Sequence, residues 1–366
     1  MKHLVLFLLF VVSLSACQQA GDGAKASGSA VDSATQALDD ALLTAEDRGP
    51  SVTLDAPVML LYRMKPGDTF GYSIENTEDV TIVQDTISTV NHQVIRWWYR
   101  FEVVEAAPGG GARLRALCDR VAFDGEYDGP GGAQTVHYDS REKNAYDIEK
   151  RFAQYNAPVN TPFMISVEKD GRISDISNLG DVVRNYLKDD YRTTKSDQLK
   201  GIEQDYADSG IKAVLQLAFQ KLADTPVAKD STWTLVRPDK IGYLAVRSVA
   251  RYGVRDVVAS PRGTLAQIDA GITSEYVGAK IMDTGQGMAT MNEFAVHGSG
   301  GTVFNIDAGR VQRRRLRTDV NVKMWVEPPE ELKRMMPDQM HDFWYTQKAS
   351  IVNVIEPYAA ELKKAE

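Results

Sequence analysis

Apolar and polar residues alternate along most of the chain from residue 58 onward. In one segment Ile95, Trp97 and Tyr99 share one face of an extended strand, and Arg96 and Arg100 share the other. This period of two indicates a half-buried antiparallel strand. The same pattern predicts further strands at 58–64, 68–75, 79–88, 112–123, 133–138, 232–236, 242–257, 262–269, 274–282, 292–297, 302–306 and 311–326.

Helical spacing is concentrated in the block 178–224. Leu179, Val182 and Val183 mark one short amphipathic helix in this block. A further short helix is predicted after Pro329. Strands on both sides of a helical block predict the α+β class, with a long curved antiparallel β-sheet that is half-barrel-like and helices in the middle of the chain. A short helical or mixed segment is expected at the C-terminus.

Two hairpin turns echo each other in the two halves of the chain. The segments 167–173 and 306–311 both place glycine where a turn needs positive φ. The domain prediction is therefore one β-rich globular domain over 53–366, with half-repeats at 58–175 and 228–326 on either side of the helices. Chance similarity is the alternative, because the spans between the paired elements differ in length.

The first residues are typical of an export signal. An unbroken apolar run over 4–12 is too short to cross a bilayer core of about 30 Å. It leads to Leu14-Ser15-Ala16-Cys17, which is similar to a bacterial lipobox. The resemblance implies a signal peptide over 1–16, lipidation of Cys17 and a flexible tether over 17–52. An ordinary signal peptide followed by an accidental cysteine is the alternative.

Composition then narrows the class of function. The 366 residues include 42 Lys and Arg against 50 Asp and Glu, which gives a formal net charge of −8. Nucleic acid is not expected as a partner, because phosphate binding needs a basic excess or a strongly basic face. With Cys17 assigned to lipid, Cys118 has no partner for an internal disulfide. We interpret Cys118 as a small buried residue rather than a catalytic thiol.

Several turn and strand-start motifs resemble those of a known family. They are Tyr138-Asp139-Ser140, Pro162-Phe163, Asp170-Gly171-Arg172-Ile173 and Asp230-Ser231-Thr232-Trp233. In this order they look like a family of uncharacterised bacterial lipoproteins, a domain of unknown function, and the resemblance covers most of 58–326. It implies a cell-envelope location and a similar fold. It transfers no catalytic residue.

The sequence contains no motif for a resident cofactor or metal ion. The histidines are dispersed and never show a paired metal spacing. We therefore predict no cofactor, no metal site and no catalytic residue. Asp124–Gly129 imitates the first half of a calcium loop but is followed by hairpin-turn residues, so a solvated loop is favoured over a weak calcium site. His297–Gly301 fails the spacing of a nucleophile elbow and is interpreted as a β-turn loop.

Two further features suggest binding. Arg313, Arg315 and Arg317 fall on one strand face and are candidates to bind anions such as lipid phosphates or acidic glycans, although a solvated strand face is the alternative. Trp97, with Tyr99 and Phe101, is a candidate to line an apolar ligand cavity, although ordinary core packing is the alternative.

The expected function follows from the anchor and the missing catalytic motifs. We expect a lipid-anchored cell-envelope protein, at the periplasmic face of the outer membrane rather than the inner one, because Gln18 follows Cys17. Its expected role is a non-enzymatic binding or scaffold module for an apolar or amphiphilic ligand or an envelope partner. The alternatives are a purely structural component and an envelope hydrolase whose site assembles around His137-Tyr138-Asp139-Ser140. The oligomeric state is left open.

Overall fold

The structure is a computed structural model of the chain. It describes residues 42–44, 47–54, 56–142, 152–241, 244–284, 287–336 and 340–359. The predicted signal peptide, Cys17 and most of the predicted tether lie outside the described residues.

Antiparallel strands dominate the described part of the chain, as the long alternating runs require. The strands are β1 Thr69–Gln84, β2 Ile87–Ala106, β3 Gly111–Asp128, β4 Gln134–Asp139, β5 Phe163–Glu168, β6 Ile173–Ser177, β7 Thr232–Ile241, β8 Leu244–Ser260, β9 Gly263–Tyr276, β10 Ile281–Asp283, β11 Met288–Asn305, β12 Arg310–Glu327 and β13 Phe343–Pro357.

Within the described residues these thirteen strands form one open sheet. Its order is β6-β5-β3-β2-β1-β13-β12-β11-β9-β8-β7, with β4 paired to β3 and β10 paired to β11. The two predicted hairpins are confirmed as β5–β6 and β11–β12. Their turns contain Gly171 at φ 90° and Gly309 at φ 59°, a region that L side chains rarely adopt.

The C-terminal strand β13 lies in the middle of the sheet. Ile351 is opposite Glu78 of β1 on one side and opposite Thr318 of β12 on the other. The strand at the end of the chain therefore joins the β1–β6 half of the sheet to the β7–β12 half.

Short helices pack on one face of the sheet, which we call the inner face. They are α1 Ala153–Asn156, α2 Gly180–Leu187, a 3-10 turn Lys188–Arg192, α3 Ser196–Asp205, a π-helical segment Tyr206–Lys212 and α4 Ala213–Ala218. A separate short helix, α5 Glu330–Met335, follows β12. The helix α4 contacts β1 and β13. After α4, the buried Phe219 ring lies 5.4 Å from that of Phe101, centroid to centroid. Arg314 of β12 donates to the Leu217 carbonyl oxygen at 2.7 Å, which also ties the helices to the sheet.

The predicted α+β class is wrong, because the fold is mainly antiparallel β-sheet. The longest described helix, α3, has ten residues, whereas the long strands run for 14 to 20 residues. The segments 68–75 and 79–88 belong largely to one strand, β1, rather than to two. Residues 58–64 lie outside the named strands, and the C-terminal segment expected to be helical or mixed contains β13.

Candidate functional site

A cleft of about 620 Å³ lies between the helices and the inner face of the sheet. The sheet wall of the cleft comes from β1, β2 and β13. The opposite, helical wall comes from α1, α2, α3, the π-helical segment and α4. Small-molecule sites typically have volumes of about 300–1,000 Å³ and lie where layers of a fold meet. The size and position of this cleft therefore suit a ligand.

Aromatic side chains line both walls of the cleft. They are Trp97 and Tyr99 from β2, Tyr155 from α1, Tyr186 from α2 and Tyr206 from the π-helical segment. The rings of Trp97 and Tyr155 lie 6.3 Å apart across the cleft, centroid to centroid, and those of Tyr186 and Tyr206 lie 5.3 Å apart. Burial raises the pKa of the Tyr206 and Tyr99 hydroxyls, so both stay neutral at ordinary pH.

Glu78 brings a buried carboxyl group to the sheet wall of the cleft. Its side chain accepts hydrogen bonds from Asn76 Nδ2 at 2.8 Å and from Gln93 Nε2 at 2.6 Å. The residue is only 4% exposed, and burial raises the pKa of its carboxyl group, while the two hydrogen bonds oppose that rise. Its hydrogen-bond partners among the described residues are neutral amides.

The π-helical segment shapes the helical wall. Tyr206, Ser209, Gly210 and Ile211 all line the cleft, and the segment is continuous with α3 and α4. One extra residue per turn rotates the side chains that follow, and such segments are frequent at functional sites. Tyr206, the first residue of the segment, is buried, and its hydroxyl donates to the Gln154 carbonyl oxygen.

Two of the three residues predicted to line a cavity lie in this cleft. Trp97 and Tyr99 line it, whereas Phe101 is buried deeper, with its ring stacked on Phe70 at 5.2 Å. Sequence reasoning missed Glu78, although it stands at an inward position of an alternating strand between Ile74 and Val80. Dividing β1 into two predicted strands hid that signal.

The three predicted anion-binding arginines lie on the outer face of β12. Arg313 donates to the Leu42 carbonyl oxygen at 3.1 Å and to Asp47 at 3.3 Å, and Arg317 pairs with Asp319 at 3.1 Å. The Nε atom of Arg315 is buried and has no hydrogen-bond partner within the described segments. Anion binding by these arginines stays a prediction.

The residues of the hydrolase alternative point to different partners. His137 Nδ1 lies 2.6 Å from Asp124, and this contact raises the pKa of the imidazole. Asp139 pairs with Arg120, and the Ser140 hydroxyl accepts from the Val121 amide at 2.9 Å. No hydrogen bond joins His137 to Ser140 in the described part of the chain. These side chains therefore lack the contact from base to nucleophile that this mechanism needs.

Two segments interpreted as loops are parts of strands. Asp124–Asp128 lies in β3, with a turn only after it, and His297–Gly301 lies in β11. Cys118 is fully buried, as predicted, and burial raises the pKa of its thiol to about 12. Within the described residues, no group of three or more His, Cys, Asp or Glu is placed to hold a metal ion.

A second cleft, of about 720 Å³, lies beside α2. Its lining includes Asn156, Arg184 and Lys188, but Arg184 is already paired with Asp181 at 2.7 Å. Its neighbouring segment 143–151 lies outside the described residues. The aromatic cleft, whose walls are described and which holds a buried carboxyl group, is therefore the stronger candidate.

The helical wall of the aromatic cleft falls within a region that matches a known family. Residues 127–307 match the model of a family of unknown function, DUF6263. The DUF6263 match includes the elements from β4 to β11. It does not include β1, β2 or β13, which form the sheet wall of the cleft. The predicted resemblance to a family of unknown function is confirmed for this segment, while its lipoprotein character stays a prediction.

Solved structures show only weak similarity to the chain. A lipovitellin structure, described by its lipid–protein interactions, has 9% identity and a TM-score of 0.43, and the match covers 81% of this chain but only 25% of that one. An outer-membrane channel from Pseudomonas putida F1 has 7% identity and a TM-score of 0.20, with coverage of 81% and 98%. Scores this low do not establish a shared fold. No curated protein matches the sequence.

The helices that the structure describes are all short. None of them is long and apolar enough to cross a bilayer.

Proposed function

We propose that the protein binds an amphiphilic ligand in the aromatic cleft. The observation that carries this proposal is the set of five aromatic rings around a cleft of about 620 Å³, with a buried carboxyl group on one wall. Apolar and aromatic walls supply affinity for a hydrocarbon portion, and a few placed polar groups orient the ligand. The role is one of binding, since the residues of the hydrolase alternative do not converge.

We further propose that the protein works at the cell envelope, held by lipid on Cys17 at the periplasmic face of the outer membrane. The support is the sequence alone: an apolar run, the segment Leu14-Ser15-Ala16-Cys17 and then a polar stretch. Each buried methylene of an acyl chain contributes about 0.8 kcal/mol, so two or more chains would anchor the protein stably.

The cleft is tested by filling it. Ile202 of α3 lines the cleft, whereas Lys200 of the same helix is exposed and does not. The full chain is purified from its own membrane, and non-covalently bound lipid is extracted and identified by mass spectrometry. We expect Ile202→Trp to lose most of the bound amphiphile and Lys200→Trp to retain it. A wild-type protein that carries no amphiphile, or equal amounts in both variants, would refute binding in this cleft.

The anchor is tested by replacing the thiol. Cys17→Ser should abolish incorporation of a radioactive fatty acid and leave the precursor uncleaved, because acylation needs the cysteine sulfur. Ser15→Ala keeps a small residue before the cysteine and should be labelled as the wild type is. Labelling of Cys17→Ser at the wild-type level would show that the lipobox interpretation is wrong.

A further inference from the structure

The charged side chains in the described lining of the aromatic cleft are all acidic. Its described lining contains two carboxyl groups, the buried Glu78 and the exposed Asp205, and no Lys, Arg or His. Elsewhere on the sheet, acids are regularly matched by bases, as in Arg96 with Glu75 and Arg100 with Asp119. The cleft thus departs from the balanced charge of the rest of the molecule.

The polar groups of the sheet wall leave hydrogen-bond acceptors unmatched. Asn76 uses its amide nitrogen on Glu78, and its buried Oδ1 has no hydrogen-bond partner among the described residues. In the described part of the chain, the Glu78 carboxylate accepts from neutral donors only, Asn76 and Gln93. A buried acceptor without a donor is costly, and a buried carboxylate without a cation costs more. A ligand that brings a charged donor would remove both costs.

The aromatic rings add attraction for the same kind of group. The face of an aromatic ring carries a negative quadrupole and attracts a cation within about 6 Å of its centroid. Trp97 and Tyr155 line the cleft together with Glu78. An acid, a free carbonyl oxygen and aromatic faces without a competing base form a site for an ammonium group.

We propose that the ligand is a cationic amphiphile, whose ammonium headgroup lies against Glu78 and Asn76 and whose hydrocarbon portion lies along the aromatic and aliphatic walls. This inference rests on the proposed function, since it names the ligand class for the same cleft. Glu78 is the residue that determines specificity for the headgroup. Ile95, Val214 and Leu217 supply aliphatic lining for the chain.

The experiment compares three probes of equal chain length: dodecylammonium, dodecanol and dodecanoate, each below its micelle concentration. Binding to the purified full chain with Cys17→Ser is measured by calorimetry at neutral pH. We expect dodecylammonium to bind about tenfold more tightly than dodecanol. The difference in free energy between a charge-assisted and a neutral hydrogen bond corresponds to about that change in affinity. Dodecanoate should bind most weakly, because its charge repels that of Glu78.

Two substitutions then locate the discrimination. Glu78→Gln removes the charge and keeps the shape, so we expect similar affinities for dodecylammonium and dodecanol, while unchanged dodecanol affinity shows that the cleft is intact. Glu78→Asp keeps the charge and should keep the preference. Equal binding of the two probes by the wild type, or an unchanged preference in Glu78→Gln, would refute the cationic ligand while leaving an amphiphile site. Failure of all three probes would refute the proposed function and, with it, the headgroup assignment.

Discussion

Glu78 makes the stability of the protein depend on pH. Its carboxyl group is almost fully buried, and its described partners are the amides of Asn76 and Gln93. Burial raises the pKa of the group, so the native state holds the proton more tightly than the unfolded chain does. Glu78 therefore contributes fully to the free energy of unfolding when the pH lies below the pKa that this carboxyl group has in the unfolded chain. That contribution is lost as pH rises through the higher pKa of the same group in the native state.

The raised pKa of Glu78 predicts how the stability of the protein changes with pH. Gln cannot ionise, so Glu78→Gln should gain stability over the wild type as pH rises from about 4 to about 8. The measurement is the urea midpoint of unfolding at both pH values. Asp79→Asn, on the exposed side of the same strand, removes a surface contact with His92 and should change stability by about 1 kcal/mol or less. Equal gains for Glu78→Gln at both pH values would contradict an origin in ionisation.

At the scale of elements, β11 depends on a glycine for its fit against β12. A Cβ atom built on Gly300 would lie 2.1 Å from the Arg315 carbonyl oxygen and 2.8 Å from Leu316 Cα. On the neighbouring strand β9, a Cβ atom on Gly271 would meet nothing within 4 Å. Gly300, in the segment that suggested a loop, therefore serves close strand packing instead.

The two glycines form a matched pair for mutation. Gly300→Ala should destabilise the protein by about 1–3 kcal/mol, because backbone atoms of β12 must move to admit the methyl group. Gly271→Ala should change stability by about 0.5 kcal/mol or less, as open surface positions usually do. Chemical unfolding of both variants measures the difference. Similar losses in the two would show that the close approach of β12 does not explain Gly300.

At the scale of the whole molecule, β13 is the connection between the two halves of the sheet. On both sides of β13 the strands succeed each other in the same direction, as β7-β8-β9-β11-β12 and as β1-β2-β3-β5-β6. This order accords with a duplication, which stays a prediction, as does the single domain over 53–366. We propose that the halves depend on β13 for cooperative folding.

A charge placed in β13 tests this dependence. Ile351 is 1% exposed on the inner face, whereas Val352 is only partly buried on the outer face opposite Arg317. Ile351→Asp should cost about 3–5 kcal/mol, the cost of an uncompensated buried charge, and Val352→Asp much less. Hydrogen exchange should show faster opening of β2 and β11 together in Ile351→Asp. Loss of protection in only one half would mean that the halves fold independently.

The sequence predicted local structure well where one period was unbroken. In β12, Leu316, Val320 and Val322 are buried on one face, as the alternation required. Prediction failed where polar residues stand at inward positions, as in Asn76 and Glu78, because alternation alone cannot distinguish an inward polar residue from the end of a strand. It also failed at β13, where residues from Tyr345 to Ile355 alternate in burial although a helical or mixed segment was expected.

By itself, the sequence determined the antiparallel strand content, the hairpin turns at Gly171 and Gly309 and the inward direction of Trp97 and Tyr99. These follow from side-chain period and backbone sterics, which act over a few residues. Only the tertiary structure decided that β13 lies between β1 and β12, and that Glu78 faces aromatic rings of distant helices. Those contacts join residues far apart in the chain, and strand pairing between such residues depends on the packing of the whole sheet.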